Sequence, residues 1–506
     1  MIDWCNLQAR RLILLLVVSL AGCSGSPVRQ QAPVDADPPQ GISELEEWAS
    51  RQEGRHPGTT GMLLLGSGSE ALDARLSLID RARRTIDVQY YLVRDDESGK
   101  RFLWHLQQAA RRGVRVRLLL DDTHLPLREQ LLARLDAQPN LSVRVFNPFS
   151  RNMIRLPQLM LRFSVLNRRM HNKVLIADDA FAITGSRNIG DEYFEVKPTL
   201  AFGDLDLLAA GPLVREMSRL FERYWRYPAS RAYAGLNPRT EQAGGELARV
   251  AAPAYRDLVG ELLAGQARLQ WQQASLVADN PEKIASPSRE GDFLDATGLR
   301  PYSDKLGEQL LIITPYFIPG EEGVRYFRTL RERGIAVTIF TNSFASTDVQ
   351  LVHSAYWKYR DQLLAMGVEI YELKQLKRRL RIMEKLRRFR QHRAGSRATL
   401  HAKVIVYDRE RLYIGSMNAD PRSIHHNTEM GVLVESPDTA EAIIDWFLDN
   451  RADIAYRLAL DGEAGNERIS WNDAILQEAS LTEPNMNTFQ KLWIGFLSLL
   501  PLESQL

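Results

Sequence analysis

The sequence predicts an α/β protein of two halves related by a pseudo-twofold axis. Each half is expected to be an α/β/α layering with a mixed sheet, and one active site should lie at the interface between them. Three observations carry this prediction. A motif of six residue types occurs twice with identical spacing, the same order of strands and helices surrounds each copy, and strands that alternate with helices favour parallel or mixed sheets covered by helices.

The composition is that of an ordinary globular protein. With 506 residues, 44% of them hydrophobic and 25% charged, two domains can each bury a core. The net charge of +2 argues against binding of nucleic acid through overall charge, so an anion would have to bind at a local patch. Both cysteines, Cys5 and Cys23, lie near the N-terminus. Neither disulfides nor cysteine metal sites are therefore expected in the folded body.

Residues 1–23 have the pattern of a lipoprotein-type signal peptide. Two arginines precede a short apolar run, residues 12–20, which is shorter than the span of about 20 residues that crosses a bilayer. The following Leu-Ala-Gly-Cys resembles a bacterial lipobox, which predicts that lipidated Cys23 anchors the exported chain on the periplasmic side of a membrane. The alternatives are an ordinary signal peptide with a chance cysteine or an uncleaved anchor. By analogy, Ser24 favours the outer membrane.

Residues 24–60 are rich in proline, glycine and polar residues and predict a flexible tether. The two halves are then predicted at residues 61–240 and 241–460, with a loop-like boundary within residues 235–250. Residues 461–506 form a C-terminal extension.

Hydrophobic periodicity predicts matching elements in the two halves. In the first half these are residues 69–84 (helix), 86–92 (strand), 99–112 (helix), 114–120 (strand), 127–136 (helix) and 141–146 (strand). The second half repeats the order from its first strand, over residues 309–314 (strand), 320–333 (helix), 335–341 (strand), 348–366 (helix) and 368–373 (strand). Arg-Gly-Val at 112–114 and Arg-Gly-Ile at 333–335 mark the same helix end and strand start in both halves.

The repeated motif reads His-x-Lys-x4-Asp-x6-Gly-Ser-x-Asn. Its two copies contain His171, Lys173, Asp178, Ser186 and Asn188, and His401, Lys403, Asp408, Ser416 and Asn418. A single His-x-Lys pair would be weak evidence, whereas six matched positions in two copies indicate catalysis. Each copy is expected to place its histidine and lysine on one face of a strand. A short hairpin would return Gly-Ser-x-Asn beside them.

These residue types suit chemistry on a phosphodiester. Lysine ammonium groups offset the charge that repels a nucleophile, while serine hydroxyls and asparagine amides can donate to the non-bridging oxygens. One neutral imidazole can attack phosphorus and form a phosphohistidine, and the other can protonate the leaving alkoxide. Because each half supplies one histidine, both should meet at one phosphate. No carboxylate cluster suited to Mg²⁺ accompanies the motif, so the lysines are expected to take that role without metal or cofactor.

The two motifs resemble those of the phospholipase D superfamily, and the duplication extends the resemblance over about residues 65–455. The wider pattern is most similar to bacterial cardiolipin synthases, particularly the cardiolipin synthase C type. This likeness lies in segments 90–91, 113–122, 146–149, 167–171, 313–316 and 499–503.

The resemblance implies roles for the two histidines and for several acidic residues. In the superfamily one histidine is phosphorylated and the other is the general acid and base, and the likeness favours His171 as the nucleophile and His401 as the acid. As a pair on one phosphate they would titrate together.

In that superfamily an acidic residue downstream of each motif holds the histidine through its second nitrogen. The matching positions are Asp204 and Glu429. Asp206 is a rival for Asp204, which is favoured because the apolar run after it aligns with that after Glu429. The motif aspartates, Asp178 and Asp408, are implied to be structural groups in turns.

Two basic segments lead into the histidines. Residues 151–169 contain five arginines and no acid, and residues 374–397 contain eleven lysines or arginines against one glutamate. They predict amphipathic surfaces that engage anionic lipid headgroups, the alternatives being a solvated charged face or a nucleic-acid site. Lys283, in a stretch that resembles the cardiolipin synthase C type, is expected to face the substrate cleft.

Site chemistry and resemblance together imply a phosphatidyl transferase at a membrane surface. It would make cardiolipin from phosphatidylglycerol and a second phospholipid, phosphatidylethanolamine or phosphatidylglycerol, and the type resemblance leans towards phosphatidylethanolamine. One rival is a hydrolase of the same superfamily, either a phospholipase D or a nuclease, although nucleic acid is not expected as a partner. The other is a non-catalytic lipoprotein, which would have no need of two histidines.

Overall fold

The computed structural model describes residues 37–123, 129–151, 158, 163–196, 200–236, 247–250, 254–285, 298–375, 397–463, 466–499 and 503. The predicted signal peptide, Cys23 and the first part of the predicted tether lie outside these residues. So does most of each basic segment, namely residues 152–157, 159–162 and 376–396.

Helices and strands alternate along the first half. In chain order they are α1 (Glu44–Arg55), β1 (Thr60–Leu65), α2 (Gly68–Arg81), β2 (Thr85–Tyr90), α3 (Glu97–Arg111), β3 (Arg115–Asp121), α4 (Glu129–Asp136), β4 (Leu141–Phe146), α5 (Phe163–Leu166), β5 (Val174–Ala177), β6 (Phe181–Gly185), β7 (Leu200–Gly203), β8 (Asp206–Ala210), α6 (Pro212–Arg226), β9 (Ser230–Ala232), α7 (Tyr233–Leu236) and α8 (Leu258–Leu263). The helices and strands predicted for this half are present, with ends that differ by no more than three residues.

The second half repeats the pattern. Its elements are β10 (Gln270–Ala278), a 3₁₀ helix (Pro281–Ile284), α9 (Arg300–Ser303), β11 (Gln309–Ile313), α10 (Gly320–Glu332), β12 (Ala336–Asn342), α11 (Gln350–Trp357), α12 (Arg360–Ala365), β13 (Glu369–Leu373), β14 (Arg397–Leu400), β15 (Val404–Tyr407), β16 (Arg411–Gly415), α13 (Pro421–His425), β17 (Met430–Glu435), α14 (Pro437–Ile454), β18 (Ala455–Asp461), β19 (Arg468–Asp473), β20 (Glu478–Ser480) and α15 (Thr488–Ser498). The helix predicted over residues 348–366 is two helices, α11 and α12, because apolar periodicity continues through a short turn and does not reveal it. Within the described ranges, no helix has the length and apolar composition needed to cross a membrane.

Strand pairing follows one scheme in both halves. The first sheet has the order β9-β4-β3-β2-β5-β6-β8-β1, in which β2, β3 and β4 are parallel and the other pairs antiparallel. The second has the order β10-β17-β16-β15-β11-β12-β13-β18-β19-β20, with β11, β12 and β13 parallel. An antiparallel pair of β1 and β10 joins them into an 18-stranded sheet. The predicted duplication with mixed sheets is therefore confirmed.

Apolar side chains form three core layers. Two cover the outer faces of the two sheets, and the third lies between the two sheets. The outer face of the first sheet packs on α2, α3 and α8, and that of the second packs on α10 and α11. The inner faces of both sheets pack together with α6 and α14 into one shared core, whose members include Met217, Phe221, Val404, Val432, Ile444 and Phe447. Because side chains alternate across a strand, each central strand supplies both an outer core and this shared core.

The tether predicted for residues 24–60 is wrong for its last part, since residues 44–55 form α1. This helix begins with a capping box: Ser43 Oγ accepts the Glu46 N–H at 3.2 Å, and the Glu46 carboxylate accepts the Ser43 N–H at 2.7 Å. The helix also buries Trp48 against the first half. Its polar, acid-rich sequence conceals a narrow apolar stripe, which explains the wrong prediction.

The boundary predicted after residue 240 lies too early. Leu247, Leu258 and Val259 are buried in the core of the first half, which therefore extends to the residues just before β10. The C-terminal extension predicted at 461–506 begins with β19 and β20, which continue the second sheet from β18. Long-range packing, which local composition does not encode, sets both limits.

Candidate active site

Both motifs form hairpins of the predicted kind, β5 with β6 and β15 with β16. The residues after β5 and β15 have positive φ, 52° at Asp178 and 51° at Asp408, as the tight turns of hairpins require. Each aspartate accepts three backbone N–H groups at 2.7–3.0 Å, from residues 83–85 and 307–309 respectively. These carboxylates thus fix the start of β2 and β11, which agrees with their predicted structural role.

The histidine and lysine of each motif precede the strand rather than lie within it. Because β5 and β15 begin one residue after the lysine, the prediction that both side chains share a strand face is wrong. Each ammonium instead donates to the carbonyl oxygen of its own histidine. Lys173 Nζ lies 2.6 Å from His171 O, and Lys403 Nζ lies 2.6 Å from His401 O. All four side chains are buried.

Backbone hydrogen bonds attach each histidine to the opposite half. The His171 N–H donates to Thr428 O at 2.9 Å, next to a parallel bridge between the halves. In the matching place β14 pairs in parallel with β7, and the His401 N–H donates to Gly203 O at 2.9 Å. Each histidine therefore lies beside the acidic residue that follows its partner segment in the other half.

The acidic residues predicted to hold the histidines contact them in crossed pairs. His171 Nδ1 lies 2.9 and 3.0 Å from the carboxylate oxygens of Glu429, and His401 Nδ1 lies 2.8 Å from Asp204 Oδ1. The order of residues along the chain does not reveal this crossing, because each acid follows the motif of its own half. A carboxylate at Nδ1 fixes the tautomer, so that Nε2 is the nitrogen for reaction.

Asp206, the rival of Asp204, has another role. Its carboxylate accepts from Arg75 Nη2 at 2.7 Å and lies 3.4 Å from Arg187 Nη1. All three side chains are fully buried, and the cluster fastens β8 to α2. The position favoured from the sequence is therefore the one that contacts a histidine.

The motif serines contact the carboxylates. Ser186 Oγ donates to Asp204 Oδ1 at 2.6 Å, and Ser416 Oγ donates to Glu429 Oε2. Each hydroxyl also accepts a backbone N–H from the residue after that acid. A hydroxyl has only one proton to donate, and here each serine gives it to a carboxylate, so donation of Ser186 and Ser416 to phosphate oxygens stays a prediction. The serines orient the acids that orient the histidines.

The motif asparagines are buried beside the site. Asn188 Nδ2 donates to Tyr193 Oη at 3.0 Å. The Oδ1 atoms of Asn188 and Asn418 have no hydrogen-bond partner among the described residues. That both amides bind phosphate stays a prediction.

A tyrosine ring stands edge-on to each histidine. The Tyr91 and His171 centroids are 5.1 Å apart, and those of Tyr193 and His401 are 5.2 Å apart, each pair at 72°. Tyr91 belongs to a segment that carried the family resemblance. Tyr193 was missed, because it lies in an irregular segment with no periodic pattern, and its place five residues after Asn188 was the only available signal.

Burial lowers the pKa of both histidines and both lysines. Burial and the charges of Lys173 and Lys403 lower the pKa of His171 to about 4, although Glu429 opposes them. Burial likewise lowers the pKa of His401, that of Lys173 to about 7 and that of Lys403 to about 8. Since the charge of Lys403 acts on His171, and that of Asp204 acts on Lys403, the two halves share one electrostatic site.

The two carboxylates stay ionised. Burial alone would raise the pKa of Asp204 and Glu429, but the paired histidine, the nearby lysine and other neighbours together hold both pKa values below the usual range. With a neutral imidazole, the proton on Nδ1 faces the carboxylate and the lone pair is on Nε2. Within the described part of the chain, no group of three or more His, Cys, Asp or Glu side chains is placed to hold a metal ion.

Asp279 supports the site by holding the backbone of Glu429, a role that the sequence did not reveal. Its Oδ2 accepts the backbone N–H of Glu429 at 2.8 Å and the Lys283 ammonium at 2.8 Å. Lys283 Nζ also donates to Ser423 O at 3.1 Å, so Lys283, expected to face the substrate cleft, instead bonds to this supporting layer. The antiparallel pairing of β10 with β17 brings Asp279 to Glu429, and only the folded chain shows that pairing.

Two substitutions should move the pKa of His171 in opposite directions. Lys173→Met removes a positive charge that lowers this pKa, which should therefore rise from about 4. Glu429→Gln removes a negative charge that raises it, so the pKa should fall. We expect shifts of about one unit, read from NMR titration of the His171 ring. Lys491→Met, at an exposed lysine of α15, is the control and should leave the titration unchanged. Shifts of the same sign would contradict the described contacts.

Known proteins share this architecture and these motifs. The family model "Cardiolipin synthase, PLD-like domain" matches residues 76–225 and again residues 304–451, once in each half. Cardiolipin synthase C of Escherichia coli (strain K12) is 36% identical over 468 residues, which are 89% of this chain and 97% of that protein. The cardiolipin synthase of Geobacillus kaustophilus (strain HTA426) is 27% identical over 401 residues, 78% of this chain and 68% of that protein.

A solved structure is similar in fold. The phosphatidylserine synthase of Haemophilus influenzae Rd KW20 superposes with a TM-score of 0.54 at 13% sequence identity, over 81% of this chain and 92% of that one. At this identity the likeness concerns the fold alone. The family match in both halves and the identity to curated relatives show that the chain belongs to the cardiolipin synthase family with phospholipase D-like domains and is a phospholipid phosphatidyltransferase.

Proposed function

We propose that the protein makes cardiolipin by transferring a phosphatidyl group through a phosphohistidine at His171. In the first step His171 Nε2 attacks the phosphorus of a donor phospholipid. An N–P bond forms and the P–O bond to the headgroup breaks. His401, as an imidazolium, gives the proton on Nε2 to the leaving alkoxide.

The second step reverses these roles with a new alcohol. The terminal hydroxyl of phosphatidylglycerol attacks the phosphorus, an O–P bond forms and the N–P bond breaks. The hydroxyl proton passes to His401, which was left neutral by the first step. His171 returns as a neutral imidazole, so both residues end the cycle in the states in which they began.

The observation that carries this proposal is the matched pair of buried histidines, each held at Nδ1 by a carboxylate of the other half. A pKa of about 4 keeps His171 neutral at pH 7, the form that can attack phosphorus. For His401, the charge of Asp204 and that of a bound phosphodiester favour the imidazolium that an acid requires.

The two lysines supply the charge that the transition state needs. Their pKa values of about 7 and about 8 would rise beside a phosphodiester, because an anion favours the ammonium form. In a buried site such charges act more strongly on the non-bridging oxygens than they would in water.

For the acceptor we propose phosphatidylglycerol, and for the donor phosphatidylethanolamine or a second phosphatidylglycerol. The similarity to cardiolipin synthase C of Escherichia coli supports cardiolipin as the product. The alternative is use of water as the acceptor, which would make the protein a phospholipase D-type hydrolase or a nuclease.

Product analysis separates these activities. Protein lacking residues 1–23 is incubated with phosphatidylglycerol, with and without phosphatidylethanolamine, and the lipids are identified by mass spectrometry beside a plasmid-nicking assay. We expect cardiolipin from the wild type and a loss of at least about a thousandfold in His171→Asn and in His401→Asn. Phosphatidic acid alone would indicate a lipase, and nicked plasmid a nuclease.

The crossed pairs predict that each histidine variant behaves like the variant of its paired acid. The test substrate is a phosphatidyl ester of p-nitrophenol, because this leaving group needs no proton at pH 7. His401→Asn and Asp204→Asn should still release about one equivalent of p-nitrophenol and then stall as the phospho-enzyme, because they lack only acid and base function. His171→Asn and Glu429→Gln should give little or no burst, measured by stopped-flow absorbance. A burst in Glu429→Gln that is absent in Asp204→Asn would contradict the assignment.

We also propose that the chain is exported and anchored through lipidated Cys23 on the periplasmic side of a bacterial membrane. The pattern of residues 1–23 supports this, and Ser24 favours the outer membrane. The full chain, produced in bacteria fed labelled palmitate, should carry the label. Cys23→Ser should abolish the label and Cys5→Ser, the matched control, should retain it. Labelled Cys23→Ser protein would exclude this site.

A further inference from the structure

We propose that one face of α15 is the surface through which the protein docks on a phospholipid bilayer. This inference rests on the proposed function, because a bilayer is where two diacyl lipid substrates reside. The surface, called here the α15 apolar face, consists of side chains on one side of the helix and just past its end: Phe489, Leu492, Trp493, Phe496 and Leu499.

These side chains are exposed although they are large and apolar. Their exposed fractions lie between 45% and 82%, whereas Ile494, on the other side of the helix, is fully buried. Single apolar residues are common on a surface, but a stripe at the spacing of helical turns forms a contiguous patch. The Trp493 and Phe496 rings stack within it at 5.8 Å.

Contacts at both ends hold α15 on the second half. The helix packs against α11. Before it, the Glu483 carboxylate lies 2.7 Å from His353 Nε2 and 3.0 Å from Arg360 Nη2. After it, Glu503 accepts from the Tyr359 hydroxyl. The α15 apolar face is therefore part of a fixed element.

The helix α11 also links this face to the active site. Asp348, two residues before α11, is exposed and accepts from the Tyr316 hydroxyl at 2.9 and 3.0 Å. The charge of Asp348 acts on His401, whose pKa burial lowers and Asp348 raises. The helix on which α15 packs therefore begins close to His401.

The local charge fits an anionic lipid surface. Residues 487–499 contain no aspartate or glutamate and one lysine, Lys491, which is exposed. Helices that lie in a bilayer interface combine aromatic and leucine side chains on one side with basic residues elsewhere. Ile475, Leu476 and Leu481, near the end of the same half, are exposed too.

Full-length protein carrying Leu492→Ser and Phe496→Ser tests the docking surface on two forms of one substrate. One is dihexanoyl phosphatidylglycerol below its critical micelle concentration, and the other is dioleoyl phosphatidylglycerol in vesicles with phosphatidylethanolamine. We expect kcat/KM to fall at least about tenfold on vesicles and to change less than about twofold on the monomeric lipid. Leu448→Ser is the matched control, because Leu448 is also exposed but lies on α14, on the opposite side of the second sheet.

Trp493 reports docking without turnover. Brominated lipids in vesicles should quench less of the tryptophan emission of full-length Trp493→Phe than of the wild type. Equal quenching, or equal loss of activity on both lipid forms, would overturn the proposal. A third result would also overturn the proposal. If the double variant turned over lipid in vesicles at the wild-type rate but changed from dimer to monomer in sedimentation velocity, the face would be an interface between two copies of the chain. If the wild type turns over neither lipid, the proposed function fails while the quenching still decides the docking surface.

Discussion

The crossed hydrogen bonds between the histidines and the carboxylates are the interaction on which the rest of the structure depends. Each half supplies one histidine and the acid that orients the histidine of the other half, so neither half contains a complete pair. A displacement between the halves would break both pairs together. The continuous sheet, the shared apolar core and the backbone bonds at Thr428 and Gly203 oppose that displacement.

The site also has to bury charge, which is costly for any ion without a partner. When the histidines are neutral, the ammonium groups of Lys173 and Lys403 balance the carboxylates of Asp204 and Glu429. The motif serines donate to both carboxylates, although Asp204 Oδ2 has no hydrogen-bond partner among the described residues, and the backbone at Glu429 is held by Asp279. This layer explains why a cluster of six ionisable groups can be stable inside the protein.

Because the charges of the site are balanced and buried, the binding of an anion should change the protonation states of its lysines and histidines. Burial penalises the cationic forms of the lysines and histidines, which is the main reason that their pKa values are lowered. A phosphodiester would reduce that penalty, so the binding of substrate itself favours the protonation states that transfer requires. In the proposed mechanism, the carboxylate at Nδ1 of each histidine would keep Nε2 directed to the phosphate while the proton moves.

By itself, the sequence determined the two halves, the order of their main strands and helices, the hairpins that carry each motif and the choice of Asp204 over Asp206. These features arise from periodicity and from turn residues that act over a few positions, such as Asp178 and Asp408. Because such patterns act over only a few positions, the sequence could not show that residues 44–55, whose apolar stripe is narrow, form a helix. Nor could it show that residues beyond 240 pack on the first half.

Only the tertiary structure decided which acid meets which histidine, where the serine protons go, and that Tyr193 and Asp279 belong to the site. His171 and Glu429 are 258 positions apart along the chain, and His401 and Asp204 are 197 apart. Spacing within a motif fixes local geometry. Contacts over such separations depend on how two whole halves pack, because the apolar area they bury together, rather than any local pattern, sets their relative position.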